Sequence, residues 1–207
     1  MASDAGPGNN KNNCILQGIF MTEAFELSQP SEQTSWLETR LEPHCQRHPG
    51  LSGVHQLSDG LDAFAARYLL IQKAERSLDI QYYIWQNDLS GRLLVSAILE
   101  AARPGLKVRL LLDDNNTPGL DETLAQLNRH PNIEVRLFNP FSFRTLRALG
   151  YLTDFARLNR RMHNKSFTVD GVTTVVGGRN IGDEYFGTGN EPLFADLDVM
   201  AIGPVVK

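Results

Sequence analysis

Apolar and polar residues alternate along this chain with two periods, and the switches between them outline a series of strands and helices. Behind Ser58 and Asp59, either of which can cap a helix, Leu61, Phe64, Ala65, Tyr68, Leu69 and Ile71 recur at helical spacing to about Glu75. SLDIQYYIW (Ser77 to Trp85), rich in aromatic and branched residues, predicts a strand. GRLLVSAILEAAR (Gly91 to Arg103) carries a helical stripe that stops at Pro104 and Gly105. VRLLLDD (Val108 to Asp114) predicts a buried strand, the stretch from about Asp121 to Arg129 a helix, and IEVRLF (Ile133 to Phe138) another strand. A basic stretch from Phe143 to Leu158 reads as helical, and MHNKSFTVD, TTVVGGRN and ADLDVMAIG read as three further strands. The alternation predicts an α/β sandwich, a mixed sheet with helices on both faces. The first 50 residues are polar and irregular, with Asn9, Asn10, Lys11, Asn12 and Asn13 in a low-complexity patch. They are expected to form a disordered tail, 1–50, ahead of a folded unit, 51–207, and Met21 is as acceptable a start as Met1.

Composition narrows the class. With 42% hydrophobic and 21% charged residues the chain can bury its own core, which excludes a disordered polymer. Two cysteines, Cys14 and Cys45, cannot staple a domain of this size and are expected as reduced thiols. The net charge of −4 gives no global support to nucleic-acid binding, so any anion site must be local. No apolar run approaches the roughly 18 residues of a membrane span, and MASDAGPGNNKNN lacks the regions of a secretory signal. The expectation is a cytoplasmic chain, bound at most to a membrane surface. His44, Cys45 and His48 lack a fourth ligand at familiar spacing, and no metal site is expected there.

Asp170 and Gly171 separate two β-rich runs and suggest a two-residue hairpin turn. Counting outward pairs Val169 with Val172, Lys165 with Val176 and His163 with Gly178, and puts His163, Lys165 and Asn180 on one surface; a slip of one residue would break that coincidence. Such a surface suits phosphate chemistry. Lys165 and Asn180 can stabilise charge on non-bridging oxygens, and Gly177 and Gly178 leave room for a substrate to approach the backbone. His163 can attack phosphorus as neutral imidazole or act as an acid when protonated. An isolated trio of this kind is more often an ordinary surface hairpin, so the wider pattern decides.

HNKSFTVDGVTTVVGGRN, His163 to Asn180, reads His-x-Lys, four residues, Asp, six residues, Gly-Gly, one residue, Asn. This run resembles the motif of the phospholipase D superfamily. From about Ala74 to Val206 the chain also resembles the bacterial cardiolipin synthase branch, most of all its C-type enzymes, through SLDIQYYIW, VRLLLDD, PNIEVRLFNPF, LNRRMHNKSF and VGGRNIGDEYFG. The resemblance implies a phospholipase D-like fold and a phosphohistidine mechanism that uses no metal or other cofactor. One histidine attacks phosphorus, a second protonates the leaving alcohol, and another alcohol or water releases the phosphoryl group. It implies His163 as one of the two histidines and Lys165 and Asn180 as phosphate ligands. Asp170 completes the motif but supports the hairpin. Asp196 is the expected orienting acid for the histidine, with Asp198 and Glu191 as alternatives.

The chain departs from the family in carrying one motif where the site needs two. None of His44, His48, His55 and His130 is followed two residues later by lysine. The second motif is expected from a longer chain of which this is the N-terminal half, or from an isologous homodimer. The function expected is phosphatidyl transfer to a lipid head-group alcohol, with phosphatidylglycerol or a similar phospholipid as donor, giving cardiolipin. The competing readings are a homodimeric single-motif phosphodiesterase acting on nucleic acid, and a half-site that only binds phosphate. Arg144, Arg147, Arg157, Arg160, Arg161 and Lys165 outnumber Asp154 and Asp170 and can draw in an anionic membrane surface, with Leu146, Leu149, Tyr151, Leu152 and Phe155 interleaved; a solvated helix face explains them equally well. Asp113 and Asp114 end a strand where ligands gather in α/β sheets, although turn formation accounts for them equally.

Overall fold

The computed structural model describes residues 34–103, 105–117, 119–141, 155–188 and 196–206. In chain order its elements are α1 (Trp36–Gln46), β1 (Gly53–Leu57), α2 (Gly60–Lys73), β2 (Ser77–Tyr82), α3 (Leu89–Ala101), β3 (Lys107–Asp113), α4 (Asp121–Leu127) and β4 (Ile133–Phe138). A short turn of helix, α5 (Phe155–Leu158), then precedes β5 (Lys165–Val169), β6 (Thr173–Gly177), α6 (Asp183–Phe186) and β7 (Asp198–Ile202). The elements expected from Ser58 onward are all present within a few residues, except that most of the basic stretch lies outside the described residues. Caps explain the helix starts: Asp59 accepts the N–H groups of Leu61 and Asp62, and Asp88 accepts that of Gly91.

Three elements lie where none was expected: α1, β1 and the one-turn α6 (Asp183–Phe186). Helix α1 falls inside the segment read as a tail. Ser35 caps it, Leu37 and Leu41 reach the core, and Glu38 pairs with Arg76 at 2.8 Å. The leucines that reach the core are one turn apart, and Trp36 at the start of the helix is exposed. Strand β1 shows one buried residue, Leu57, and is held as an edge strand by pairing with β7. Residues 1–33 lie outside the described residues.

The seven strands run in the order β1-β7-β6-β5-β2-β3-β4. The pairs β2–β3 and β3–β4 are parallel and the others antiparallel, so the sheet is mixed, as expected. Leu78, Ile80, Val108, Leu110, Leu112, Phe167, Val169 and Val175 are buried on one face, where Arg67 of α2 reaches Tyr82 and α3 packs beside α2. Of the two helical layers expected, α2 and α3 supply this one. The other face carries the half-buried Asp79, Gln81 and Arg109, with Asp79 and Arg109 paired.

The β5–β6 hairpin corrects the expected register. Val169 pairs with Thr173 and Ser166 with Val176, one residue away from the pairing that set Lys165 against Val176. The loop holds three residues rather than two. Asp170 and Gly171 take positive φ of 54° and 66°, and Val172, whose N–H donates to the Val169 carbonyl, is the extra one. Asp170 accounts for this turn. Its N–H donates to the Ser77 carbonyl, and its carboxylate accepts the N–H groups of Glu75, Arg76 and Ser77 at 2.8–3.2 Å. The turn is thereby tied to the start of β2. Asp170 holds the hairpin roughly 20 Å from His163, at about 3.3 Å per strand residue, so the two are neighbours in the motif and not in space.

Beneath the sheet, Asp198 is fully buried between two buried arginines. Its Oδ2 accepts from Arg67 Nη2 at 2.8 Å and lies 3.8 Å from Arg179 Nη1, while Oδ1 accepts the Arg179 N–H. Arg67 Nε also donates to the Tyr82 hydroxyl, and the Arg179 guanidinium donates to the carbonyls of Leu57, Ser58 and Tyr185. Burial opposes the Arg67 charge, but Tyr82 and Asp198 outweigh it and hold its pKa above the ordinary value. Burial raises that of Tyr82.

Asp183 of α6 binds the N-terminus of α3. Its carboxylate accepts from the N–H and hydroxyl of Ser90 and from Thr188. Partial burial pushes its pKa up, but these hydrogen bonds win and hold it below the usual carboxylate value. A depressed folded-state pKa contributes stability above the unfolded value, about 3.9, that is lost as pH falls through the folded one. Asp183→Asn is therefore expected to lower stability at pH 7, with the gap to the wild type closing below about pH 4. Urea unfolding across that range measures it, and a gap independent of pH would remove the assignment.

Candidate active site

Three segments converge at one edge of the sheet. Residue Tyr82, the last of β2, pairs with Lys165, the first of β5, so Tyr83 and His163 extend past the strand ends side by side. The segment after β6 joins them: Ile181 bridges Trp85, Gln86 N–H donates to the Ile181 carbonyl, and Ile84 N–H donates to Asn180 Oδ1 at 3.1 Å. On this edge the His163 side chain is exposed and its imidazole stacks on the Tyr83 ring, centroids 4.0 Å apart. Lys165 Nζ donates to the His163 carbonyl at 3.1 Å and lies 5.4 Å from the centre of the same ring. Burial pulls the Lys165 pKa below the ordinary lysine value, against the opposing pull of the Asp196 carboxylate.

Asn180 is buried, and it reaches this edge for a reason other than strand alternation. In the observed register it would not share the face of His163 and Lys165, but β6 has ended at Gly177 and the chain has turned. Its oxygen is bound by Ile84, and it also hydrogen-bonds Tyr185, which burial raises in pKa and Asn180 lowers.

The two glycines also differ from expectation. Their missing side chains accommodate β7 and its approach, not a substrate. A Cβ on Gly177 would lie 2.1 Å from Asp198 Oδ1 and 2.4 Å from the Leu197 carbonyl oxygen, and one on Gly178 would lie 2.3 Å from Asp196 Oδ1. Backbone cannot yield as a carboxylate can. Gly177→Ala is thus expected to cost about 1–3 kcal/mol of stability, whereas Gly178→Ala costs less and displaces Asp196. Chemical denaturation of both variants would show it, and an equal or smaller loss for Gly177→Ala would contradict the packing.

Of the three candidate orienting acids, Asp198 is committed to Arg67 and Arg179, which withdraws it from the imidazole. Glu191 lies outside the described residues. Asp196 abuts Gly178 and acts on Lys165 and Tyr185, at the same edge as His163.

Asp113 and Asp114, fully buried, have a role that turn chemistry alone did not reveal. Asp113 accepts the Met162 N–H at 2.9 Å and Arg161 Nη1 at 3.2 Å, and so holds the residues that lead into His163. Asp114 accepts the Phe141 N–H and the Thr117 hydroxyl. Arg157 is likewise engaged, with Asn139 and Pro140. Two of the six basic residues are therefore structural, while Arg144, Arg147, Leu146, Leu149, Tyr151 and Leu152 lie outside the described residues. Phe155 is exposed. His44 of α1 bonds Arg47 just beyond the helix, and among the described residues no three candidate metal ligands gather. Tyr83 and Tyr185 are the site neighbours that sequence reading missed; the tandem tyrosines at the end of a strand were the available signal.

Residues 69–199 match the family described as cardiolipin synthase, PLD-like domain. Cardiolipin synthase C of Escherichia coli (strain K12) is 73% identical over 165 residues, which cover 80% of this chain and 35% of that protein. The chain thus spans about a third of the length of the curated relatives it matches. Among solved structures, NucT from Helicobacter pylori aligns with a TM-score of 0.52 at 19% identity, covering 73% of this chain and 85% of that one. Phosphatidylserine synthase of Haemophilus influenzae Rd KW20 aligns with a TM-score of 0.53 at 18% identity, covering 79% and 37%. These two show the fold, which is the one the motif implied. On the match over residues 69–199, the chain belongs to the cardiolipin synthase family of phospholipase D-like domains.

Proposed function

We propose that this chain supplies one half of a phosphatidyltransferase site that makes cardiolipin from phosphatidylglycerol or a similar phospholipid. The observation that carries the reading is the His163 imidazole, exposed at the sheet edge with the Lys165 ammonium beside it. In this mechanism a neutral His163 nitrogen attacks phosphorus of the donor lipid, and a P–N bond forms as the P–O bond to the head-group alcohol breaks. The leaving oxygen takes a proton from the histidine of a second motif. That histidine then removes the proton of the acceptor alcohol, whose oxygen attacks phosphorus and expels His163. Lys165 offsets charge on the non-bridging oxygens. Asn180 supports the phosphate pocket, Asp196 is the orienting acid, and no step calls on a cofactor.

The second motif comes from the remainder of a longer chain or from a second copy. A lipid substrate implies work at an anionic membrane surface, on the inner face of the cell membrane. No described helix is long and apolar enough to cross a membrane, so the attachment proposed is peripheral, through exposed basic residues such as Arg160.

The test presents the full-length gene product with phosphatidylglycerol vesicles, quenches in base, and looks by mass spectrometry for an acid-labile phosphatidyl adduct on His163. Cardiolipin and free glycerol are the expected products. Cleavage of single-stranded DNA with no lipid turnover would move the chain to the homodimeric phosphodiesterase reading. An adduct that never turns over would leave a phosphate-binding half-site.

A further inference from the structure

The two side chains that open the motif meet one aromatic ring. Tyr83 lies against the His163 imidazole with planes 23° from parallel, and the Lys165 ammonium approaches the same ring. Tyr83 is itself held between two fixed neighbours, since Tyr82 is buried in the core and the Ile84 N–H is bound by Asn180. We propose that Tyr83 is a positioning residue for His163 and Lys165, acting through its ring. This role rests on His163 being the group that carries the phosphoryl moiety.

An exposed imidazole turns freely about its two side-chain torsions, which spreads its nitrogens over many directions. Stacking removes that freedom while covering only a face of the ring. The nitrogen lone pair lies in the ring plane and stays open to phosphorus. The ring also presents a negative π face to the ammonium and to the imidazole when it is positively charged, which offsets the repulsion between two neighbouring cations. The other groups facing this pair are Tyr185, which acts on Tyr83, and Asp196, which acts on Lys165. The contacts to His163 and Lys165 are both made by the ring, so the hydroxyl is dispensable for them.

The test has a spectroscopic arm and a kinetic arm. In the chain labelled with 13C-histidine, the His163 Cε1–H resonance, identified by its loss in His163→Asn, is expected upfield from the ring current. It stays there in Tyr83→Phe and returns to the ordinary position in Tyr83→Ala and Tyr83→Leu, the leucine keeping bulk should alanine fail to fold. In the full-length gene product with phosphatidylglycerol vesicles, Tyr83→Leu is expected to lose about tenfold to a hundredfold in kcat with KM changed less than about threefold, and Tyr83→Phe to recover most of the rate. The proposal is overturned by an unshifted wild-type resonance, by a shift that survives Tyr83→Leu, by wild-type kcat in Tyr83→Leu, or by Tyr83→Phe failing as Tyr83→Leu does. A shifted resonance in a wild-type protein that turns over no phospholipid overturns the reaction assigned to His163, and the role with it, while the stack itself stands.

Discussion

Asp198→Asn is expected to destabilise the chain by about 3–5 kcal/mol, the cost of breaking a buried ion pair from one side. The carboxylate is fully buried and sits between Arg67 and Arg179, themselves 1% and 3% exposed. Asparagine keeps the shape but removes the negative charge that Arg67 and Arg179 share, leaving two guanidiniums out of water. Arg179 retains three carbonyl partners, and Arg67 retains Tyr82 and the Ala63 carbonyl. Those contacts satisfy N–H groups without neutralising charge. Removing one cation should therefore help: Arg67→Met combined with Asp198→Asn is expected to be more stable than Asp198→Asn alone. Urea unfolding with the linear extrapolation measures both. A single-variant loss under about 1 kcal/mol, or no recovery in the double variant, would mean that the buried charge is compensated elsewhere.

On the proposed mechanism, His163→Ala should abolish phospholipid turnover by the full-length gene product, by at least about a thousandfold, because it removes the atom assigned to form the bond to phosphorus. The same change should leave the fold intact. The side chain is exposed and its neighbours are a half-buried tyrosine and an exposed edge, so a stability loss within about 1 kcal/mol is expected. Lys165→Ala removes charge stabilisation and not the reacting atom, and a loss of about a hundredfold is the expected result. Rates on phosphatidylglycerol vesicles, with circular dichroism as the control on folding, separate these cases. A folded His163→Ala protein that keeps a tenth of the rate would eliminate the phosphohistidine mechanism at this residue.

The elements from α2 onward, the one-turn α6 excepted, were legible because each buries a stripe or a face of its own, and burial leaves its period in the sequence; four residues are too few to show one. Strand β1 is exposed over four of its five residues and has no such period. Helix α1 brings only Leu37 and Leu41 to the core. The register of the hairpin failed for a different reason. Counting from Asp170 and Gly171 assumed that the turn answers to its own two strands, whereas the Asp170 carboxylate answers to the start of β2, some ninety residues earlier in the chain. Asn180 reaches the sheet edge for a cause other than the expected one, since a bond to Ile84 positions it and strand parity does not.

What the amino-acid order determined by itself is the chemistry available and the class of fold. His163, Lys165 and Asn180 at their spacing carry the groups that the proposed phosphate chemistry needs, and the alternation of periods names an α/β sheet, because both are properties of neighbours along the chain. Tertiary structure alone decided what those residues face. It put Tyr83 against His163, Asp113 behind Met162, and Arg67 and Arg179 around Asp198. It also filled the space beside Gly177 and Gly178 with β7. Each of these contacts joins residues distant in the chain, and their geometry depends on strand order, which local periodicity does not encode.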